Sequence, residues 1–315
     1  GNGDGSGNSG GNGDGSGNSG GNGDGDDWVP NNQESLPSFD FVRFTVVNPS
    51  LYVASLSSKN GGTFEQYELP DYLGAYSDQE GKKTSRGKVG YDEDKPFGFL
   101  YSEKDGFPDK LLGCNPCLKF TNENGEEKLL EIKGVTVTYR DEEVEEGQII
   151  TLSFEEKTET VRFELELVDS ETPVIHEMIF ASEEYAVKHV YSNLPDRQYS
   201  AVWKNGIAPA ERFAWEDNNN FCAGYVDINQ EEAWNEYNVE HEPLGSGGQK
   251  VLWAGVRNKF FVTSIVPYSD NDGALLTPLN LDAIPPSVRS QYLNAYNRTE
   301  VPAIHDIKVV FDRSE

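Results

Sequence analysis

An alternation of apolar and charged residues with a period of two dominates the middle of this sequence. It is clearest at residues 161–167, where the order is Val-Arg-Phe-Glu-Leu-Glu-Leu. Such a segment forms a β-strand with one face in a core and the other in water, as antiparallel sheets allow. Runs rich in apolar residues at 129–140, 148–154 and 174–181 predict further strands beside it.

The order of these predicted elements argues against a parallel nucleotide-binding sheet, because strands and helices do not alternate along the chain. Residues 285–297 are the best helix candidate. Aromatic residues make up 11% of the chain and there is one Met, a composition that suits sheet interiors better than helical bundles. We therefore predict an all-β fold, a large antiparallel β-sandwich of residues 39–315 with long loops and one or two short helices.

Residues 1–38 are predicted to be a disordered tether rich in Gly, Asn, Asp and Ser. The ten-residue unit GNGDGSGNSG occurs twice, and it has no apolar side chain that could offset the entropy lost on folding. The reach of the low-complexity part is roughly 25–30 Å for a flexible chain. A calcium-binding β-roll is the alternative, but its repeats have nine residues and include an apolar position.

The formal net charge of −28, from 54 acidic and 26 basic residues, constrains the partners. Nucleic acid is excluded because phosphate binding needs a basic surface, and anionic lipid is disfavoured for the same reason. No apolar run reaches the roughly eighteen residues of a membrane span, and no signal peptide opens the chain. We interpret the charge as a source of solubility.

Turn signals divide the rest of the chain. Asn60-Gly61-Gly62 separates the predicted strands at 51–56 and 63–69, which alternate in polarity, and predicts a β-hairpin, since glycine permits the positive φ angles of tight turns. Three polar stretches lack periodicity, and we predict loops or irregular structure there, at residues 72–94, 183–220 and 228–248.

Residues 249–273, QKVLWAGVRNKFFVTSIVPYSDNDG, form a long apolar run with aromatic side chains at Trp253, Phe260 and Phe261. Pro267 closes the run, and an Asp/Asn/Gly turn follows it. The length and composition of the run predict a buried strand, or a strand with a kink.

Three landmarks therefore follow one another along the chain: the Gly-Gly hairpin at 51–72, a strand–Pro–strand link at 161–180, and the stretch from Trp253 through Phe260-Phe261 to Pro267 and Asp-Asn-Asp-Gly. In this order they resemble the periplasmic domain of YidC-type membrane protein insertases. The third landmark is the most specific of them. The Gly-Pro strand that usually closes the family's domain is not found, so the resemblance is to a divergent, apparently truncated member.

This resemblance implies a galactose-mutarotase-like β-supersandwich that is not an enzyme. The parent proteins of the family help to insert and fold inner-membrane proteins, alone or with the Sec translocon. The resemblance thus implies an accessory domain at the periplasmic face of the bacterial inner membrane, acting as a scaffold or contact surface. Its implied partners are Sec translocon accessory subunits or nascent membrane proteins, and its membrane spans are expected outside this fragment.

Cys114 and Cys117 form a C-x-x-C pair. A thioredoxin-like redox motif needs a βαβ context, which the sequence lacks, and a zinc site needs two further ligands. We therefore interpret the pair as structural, either as a local disulfide in an oxidising compartment or as two reduced thiols on a turn. We predict no cofactor.

Histidines and acids allow sharper hypotheses. Mutarotase-like enzymes use a His acid and a Glu base, but His176 and Glu177 are adjacent on a predicted strand and should point to opposite faces. The same objection applies to His241 with its neighbours Glu240 and Glu242. Calcium could bind the acidic stretches, although turns use the same residue types. These stretches are residues 141–146, 217–220 and 270–272.

Two other functions stay open at this point. One is a carbohydrate-binding or mutarotase-like sandwich protein, in which Trp203, Trp215 and Trp234 would form a platform for a sugar or peptide if they are exposed. The other is a calcium-dependent adhesin-like module on a flexible acidic stalk. Asn297 begins a glycosylation sequon, which would carry no meaning in a bacterial protein.

Overall fold

Strands account for nearly all the regular structure in the computed structural model of this chain, which describes residues 40–76, 90–100, 113–208, 221–236, 243–278 and 305–311. These residues belong to the unit Leu36–Glu315. Within them the backbone forms twenty strands and one short 3-10 turn, Lys59–Gly61. The all-β, antiparallel fold class predicted from the sequence is confirmed. The predicted tether (1–38) and helix (285–297) lie outside the described residues.

In chain order the strands are β1 (Arg43–Asn48), β2 (Tyr52–Ser57), β3 (Thr63–Tyr76), β4 (Gly90–Gly98), β5 (Cys117–Thr121), β6 (Glu127–Leu129), β7 (Ile132–Tyr139), β8 (Glu142–Glu143), β9 (Ile149–Thr151), β10 (Thr158–Leu167), β11 (Val174–Ala181), β12 (Val187–Ser192), β13 (Tyr199–Trp203), β14 (Cys222–Asp227), β15 (Glu232–Glu236), β16 (Leu244–Gly245), β17 (Val251–Arg257), β18 (Val262–Ile265), β19 (Asn271–Pro278) and β20 (His305–Phe311).

The first two sheets use the N-terminal half of the described chain. Sheet I has the order β4-β3-β2-β1-β9, and sheet II has the order β12-β11-β10-β7-β8. Pairing is antiparallel except between β1 and β9, which run in parallel. The hairpin predicted at Asn60-Gly61 is confirmed as the β2–β3 connection, where these residues have φ angles of 55° and 85°. The alternation predicted around residues 161–167 is also confirmed, since every second residue of β10 is buried.

The other two sheets hold most of the C-terminal half. Sheet III has the order β16-β19-β20-β13-β5-β6, and sheet IV has the order β15-β14-β17-β18. Neighbours in both sheets are antiparallel. Sheet III is thus assembled from distant parts of the sequence, because β6 pairs with β5, β5 pairs with β13, and β13 pairs with β20.

Two hydrophobic cores result from this arrangement. The first is enclosed by the inward faces of sheets I and II, where the ring of Phe44 on β1 lies 6.1 Å from the ring of Phe163 on β10. The second joins the inward faces of sheets III and IV, with Ala254 and Val256 of β17 beside Ile307 and Val309 of β20. Burial of these alternating apolar faces is the main favourable contribution to folding.

Three aromatic side chains connect the two cores. Phe99, Trp203 and Phe261 each pack against both clusters of buried residues. The rings of Phe99 and Phe261 meet edge to face at 5.3 Å, a favourable arrangement for aromatic pairs. We call these three residues the aromatic joint.

The predicted irregular regions contain strands, so those predictions were wrong in part. β3 and β4 extend into the predicted loop at 72–94, β12 and β13 lie within 183–220, and β15 and β16 lie within 228–248. A strand is predicted from the alternation of apolar and polar residues. β12 lacks this alternation because residues on both of its faces are half-buried. Backbone pairing with β11 defines this strand instead.

The run at 249–273 is not one buried strand. It forms β17, then a turn, then β18, and its end is the start of β19. The turn is stabilised by Asn258, which is 4% exposed and whose Oδ1 accepts hydrogen bonds from the backbone N–H groups of Phe260 (3.0 Å) and Phe261 (2.8 Å). Asparagine commonly bonds the backbone two residues onward in turns. This turn ends β17, where the apolar content predicted one strand or a strand with a kink.

We expect the first core to be sensitive to truncation at Phe163, which is completely buried. Phe163→Ala should destabilise the protein by about 3–5 kcal/mol, because it removes apolar burial and leaves a cavity beside Phe44 and His176. Chemical denaturation followed by tryptophan fluorescence measures the change. Glu164→Ala, at an exposed position of the same strand, is the matched control and should stay within about 0.5 kcal/mol of the wild type. Equal losses in the two variants would contradict this placement of the core.

Candidate functional site

The outward face of sheet IV is the part of the described surface where aromatic side chains are organised by the backbone. On β14 and β17, Ala223, Ala254 and Val256 point into the second core. Because neighbouring residues of a strand point to opposite faces, Gly224 and Gly255 face outward. The register places these two glycines opposite each other, with Trp234 of β15 opposite Gly224 and Ser264 of β18 opposite Gly255.

Trp234 lies flat on the backbone of Gly224. A Cβ atom at Gly224 would be 2.2 Å from Cε3 of the Trp234 ring, so no larger residue fits beneath the indole. The indole Nε1 donates a hydrogen bond of 3.1 Å to Oε2 of Glu232, and the ring is 40% exposed. Trp253 on β17 is half-buried, and its ring lies 5.4 Å from the Trp234 ring at an interplanar angle of 57°. We call Trp234 and Trp253 the tryptophan corner.

The segment after β17 carries further apolar side chains at the surface. Phe260, Val262, Val266 and Tyr268 are exposed by 62%, 59%, 52% and 83%. The Lys259 Nζ atom lies 5.0 Å from the Phe260 ring centroid, and the Lys188 Nζ atom lies 5.4 Å from that of Tyr268. We call residues 260–268 the exposed segment.

The residues that carry the family resemblance therefore separate into different environments. Trp253 is on the outward face of sheet IV, Phe260 is exposed, and Pro267 is half-buried between β18 and β19. Phe261 belongs to the aromatic joint, where it contacts Tyr72 at 5.5 Å as well as Phe99. The prediction that this run is a buried strand is wrong for Phe260, because the Asn258 turn directs that side chain outward.

Cys114 and Cys117 form a disulfide that is 1–2% exposed. Its loop is fixed from three sides. The Asn115 N–H donates to Thr63 Oγ1 (2.6 Å), the Phe64 N–H donates to the Asn115 carbonyl (3.0 Å), and the Lys204 N–H donates to Asn115 Oδ1 (3.0 Å). The loop thus connects sheet I to sheet III, and its two cysteines form a small buried cluster with Val202 of β13. The third cysteine, Cys222, is buried on β14 and outside the disulfide.

Thiol labelling after unfolding tests this pairing. In protein exported to an oxidising compartment and unfolded without reductant, a maleimide should label one of the three cysteines, Cys222, because disulfide sulfurs do not react. After reduction all three should be labelled, as counted by intact mass. Cys222→Ser should abolish labelling in the unreduced sample. Labelling of three thiols without reductant would show that Cys114 and Cys117 are unpaired.

His176 is completely buried on β11 between aromatic rings. Its ring stacks on Phe163 at 5.4 Å and on Tyr191 at 4.1 Å. Its Nδ1 lies 2.7 Å from the Gly61 carbonyl oxygen, and its Nε2 lies 3.0 Å from Nδ1 of His189 on β12. Burial lowers the pKa of His176 to about 4. Burial, together with the adjacent His176, holds the pKa of His189 well below its ordinary value.

These contacts fix the tautomer of both rings. A carbonyl oxygen only accepts, so Nδ1 of His176 carries the hydrogen and its Nε2, in a neutral ring, is an acceptor. Nδ1 of His189 must therefore donate to it, which leaves Nε2 of His189 as an acceptor. Gly62 permits this packing, because a Cβ there would lie 2.9 Å from His176 Nδ1. The acid–base pair considered for His176 and Glu177 does not form, since His176 is locked in the core and Glu177 occupies the other face.

His305 is a second buried histidine, with a different environment. It is 5% exposed and its ring stacks on Phe221 at 5.2 Å. No described residue forms a hydrogen bond with either of its ring nitrogens. Burial lowers the pKa of His305 to about 4.

Acidification should therefore destabilise the fold. The histidine pKa is about 4 in the folded state at His176 and His305, against an ordinary value of 6.5, so the unfolded chain binds more protons between these values. Stability should fall as the pH drops from 6.5 towards 4, by at most about 3 kcal/mol per buried histidine. Urea unfolding at several pH values measures this loss.

His305→Phe isolates one contribution to that loss. The variant keeps the ring contact with Phe221 and removes buried nitrogens without a described partner, so its stability near neutral pH should be unchanged or higher. Its stability should decline less on acidification than that of the wild type. The carboxylates titrate alike in both proteins, so identical pH dependence would contradict the neutral, buried state of His305.

The remaining polar candidates have structural partners or lie elsewhere. Asp270 pairs with Lys250 (2.8 Å), and Asp272 accepts a hydrogen bond from Gln198 (3.2 Å). Asn271 between them is 4% exposed and bonds both backbone groups of Val251. In the part of the chain that the structure describes, no three metal-ligating side chains cluster. Four candidates lie outside the described residues: Trp215, residues 217–220, His241 with Glu240 and Glu242, and Asn297.

The acidic stretch at 141–146 belongs to the short hairpin of β7 and β8. Its turn has positive φ angles at Arg140 (52°) and Asp141 (63°). The Arg140 guanidinium bonds Glu159 (2.6 Å), a carboxylate that is 8% exposed and also accepts from the Tyr139 hydroxyl (3.0 Å). The bonds among Arg140, Glu159 and Tyr139 therefore stabilise the β7–β8 turn.

Among the described residues no helix is long and apolar enough to cross a bilayer.

Comparisons with known proteins give few matches. No protein-family profile matches the chain, and no curated protein is similar to it. Among solved structures, the alpha-galactosidase from Lactobacillus brevis is similar with a TM-score of 0.34 and 9% sequence identity. The match covers 86% of this chain and 36% of that enzyme's chain, so this chain spans about a third of its length.

The outward face of sheet IV has the features of a binding surface. It combines a preorganised indole, a second indole at an angle to it and an adjacent carboxylate, Glu232. Of its residues, sequence reasoning singled out Trp253 in the resemblance and Trp234 as one of three tryptophans. It missed Gly224 and Gly255. An isolated glycine in a strand indicates a close backbone approach, but only strand pairing shows that the two lie opposite each other.

Proposed function

We propose that the chain is a non-catalytic, extracytoplasmic accessory domain of a YidC-type membrane protein insertase, at the periplasmic face of the bacterial inner membrane. In this role it presents a contact surface to Sec translocon accessory subunits or to nascent membrane proteins. The membrane spans of the parent protein belong to other segments.

The observation that carries this proposal is that apolar side chains of the exposed segment are in contact with water. The segment includes Phe260, Phe261 and Pro267 of the third and most specific landmark of the resemblance. Four of its apolar side chains, those of Phe260, Val262, Val266 and Tyr268, are 52–83% exposed within nine residues, in a chain with a net charge of −28. Single exposed apolar residues are ordinary, whereas several along one segment are typical of surfaces that a polypeptide partner covers. Aromatic residues such as Phe260 and Tyr268 are suited to contribute much of the binding energy.

Two further observations support the proposal. Disulfides form and persist in oxidising compartments, so the buried Cys114–Cys117 bond favours an extracytoplasmic location. His176, one of the two histidines considered for mutarotase-like chemistry, is buried in the first core, where its ring nitrogens contact Gly61 and His189. The disulfide thus supports the location, and the burial of His176 supports a binding role over a catalytic one.

Site-specific photocrosslinking in cells tests the proposal. A photoreactive amino acid at Val262 of the full-length protein should give adducts that mass spectrometry identifies as a translocon accessory subunit or as nascent inner-membrane proteins. These two outcomes distinguish the two partner classes. Phe260→Asp should lower the yield roughly tenfold, because placing a charge in an apolar contact costs at least about 1.4 kcal/mol.

The same photoreactive residue at Glu164 is the matched control, since Glu164 is also exposed but lies on sheet II. It should give no such adducts. The proposal is wrong if both positions give the same adduct pattern, or if the adducts at Val262 are unrelated to membrane insertion and insensitive to Phe260→Asp.

A further inference from the structure

The tryptophan corner has no role in the proposed contact of the exposed segment. Trp234 is on β15, an edge strand of sheet IV, and its ring is 40% exposed although it is one of the largest apolar side chains of the protein. One face of the ring is covered by the backbone of Gly224. The indole nitrogen is bound to Glu232, so the orientation of the ring is fixed from below and at its polar edge.

An aromatic ring over a glycine on a neighbouring strand can stabilise a sheet by itself. That role explains the contact between Trp234 and Gly224. It does not require Trp253, which lies on β17, on the other side of β14 from Trp234. The two ring centroids are 5.4 Å apart and the ring planes meet at 57°, so the two indoles form two sides of a corner. A rigid corner of this kind is preorganised for a small, flat and partly apolar ligand.

We propose that the tryptophan corner binds a pyranose ring of a neutral glycan. The C–H face of a pyranose is apolar and flat enough to cover one indole, while its hydroxyl groups need hydrogen-bond partners at the ring edge. Glu232 supplies an acceptor at the edge of Trp234. Arg257, exposed on the same outward face of β17, supplies donors two residues from Gly255.

The charge of the molecule selects the class of glycan. A net charge of −28 and the adjacent Glu232 repel uronic acids, sulfated sugars and other anionic polymers. A purely aliphatic ligand would form no hydrogen bond with the carboxylate of Glu232, which accepts from the indole nitrogen. A neutral sugar uses both the aromatic surface and the carboxylate, so it fits the corner better than either.

Titration of the full chain with neutral gluco-, galacto- and manno-configured oligosaccharides tests the proposal, with indole fluorescence and calorimetry as readouts. At least one series should give saturable binding, with a Kd on the order of 0.1–1 mM for a single stacked ring. Trp234→Ala should weaken that binding at least tenfold, and Trp234→Phe should retain most of it, because a phenyl ring still covers Gly224 and stacks. Tyr268→Ala, which removes an even more exposed aromatic ring (83% against 40% for Trp234) from the exposed segment, should bind as the wild type does.

A variant that fails to fold would not answer the question, so the wild type provides a second readout. The Trp234 indole N–H resonance, assigned with Trp234→Phe, should shift on addition of the sugar that binds. The proposal is overturned if no neutral oligosaccharide shifts this resonance at about 10 mM, or if binding persists in a folded Trp234→Ala variant. It is also overturned if anionic glycans or apolar peptides bind the corner and neutral sugars do not.

Discussion

The aromatic joint is the contact on which the rest of the architecture depends. Phe99, Trp203 and Phe261 come from three distant parts of the chain, and each packs against both cores. Trp203 also donates from Nε1 to the Gly206 carbonyl (2.7 Å), so its polar edge is satisfied while its ring is shared. Sheet III supplies residues to both cores, and sheet IV packs on sheet III through the second core, which leaves its other face directed outward. The tryptophan corner and the exposed segment are consequences of that placement.

Polar groups inside the first core show how such a fold specifies one arrangement. The Gly61 carbonyl, His176 and His189 form a chain of hydrogen bonds with one consistent set of donors and acceptors. A buried polar group without a partner costs about 1–3 kcal/mol, so any other packing of sheet I on sheet II would be penalised at each of these atoms. The close approach of His176 to Gly62 also requires that residue 62 has no side chain. Apolar burial stabilises the core, and these bonds select its register.

Sequence reasoning predicted the fold where local signals agree with tertiary structure. The alternation at 161–167 and the Asn60-Gly61 turn each follow from one strand or one turn, and the structure has both. It failed at β12 and β15, where burial on both faces or a single large residue replaces alternation. Phe260 illustrates the limit for the candidate site: the apolar run predicted burial, but Asn258 ends the strand and turns the side chain outward. The register between strands, which places Gly224 opposite Gly255, cannot be predicted from the pattern of residues along the sequence.

Net charge and exposed apolar surface need to be considered together in this protein. Self-repulsion from a charge of −28 opposes association of the molecules through exposed apolar side chains such as those of Phe260, Tyr268 and Trp234. The same repulsion lowers the rate of encounter with acidic partners and does not oppose neutral or basic ones. A surface that is acidic overall and apolar at defined positions therefore selects its partners by their charge at long range and by contact with its aromatic rings at short range. Salt should weaken only the first of these, because screening acts over about 10 Å and direct ring contact is independent of it.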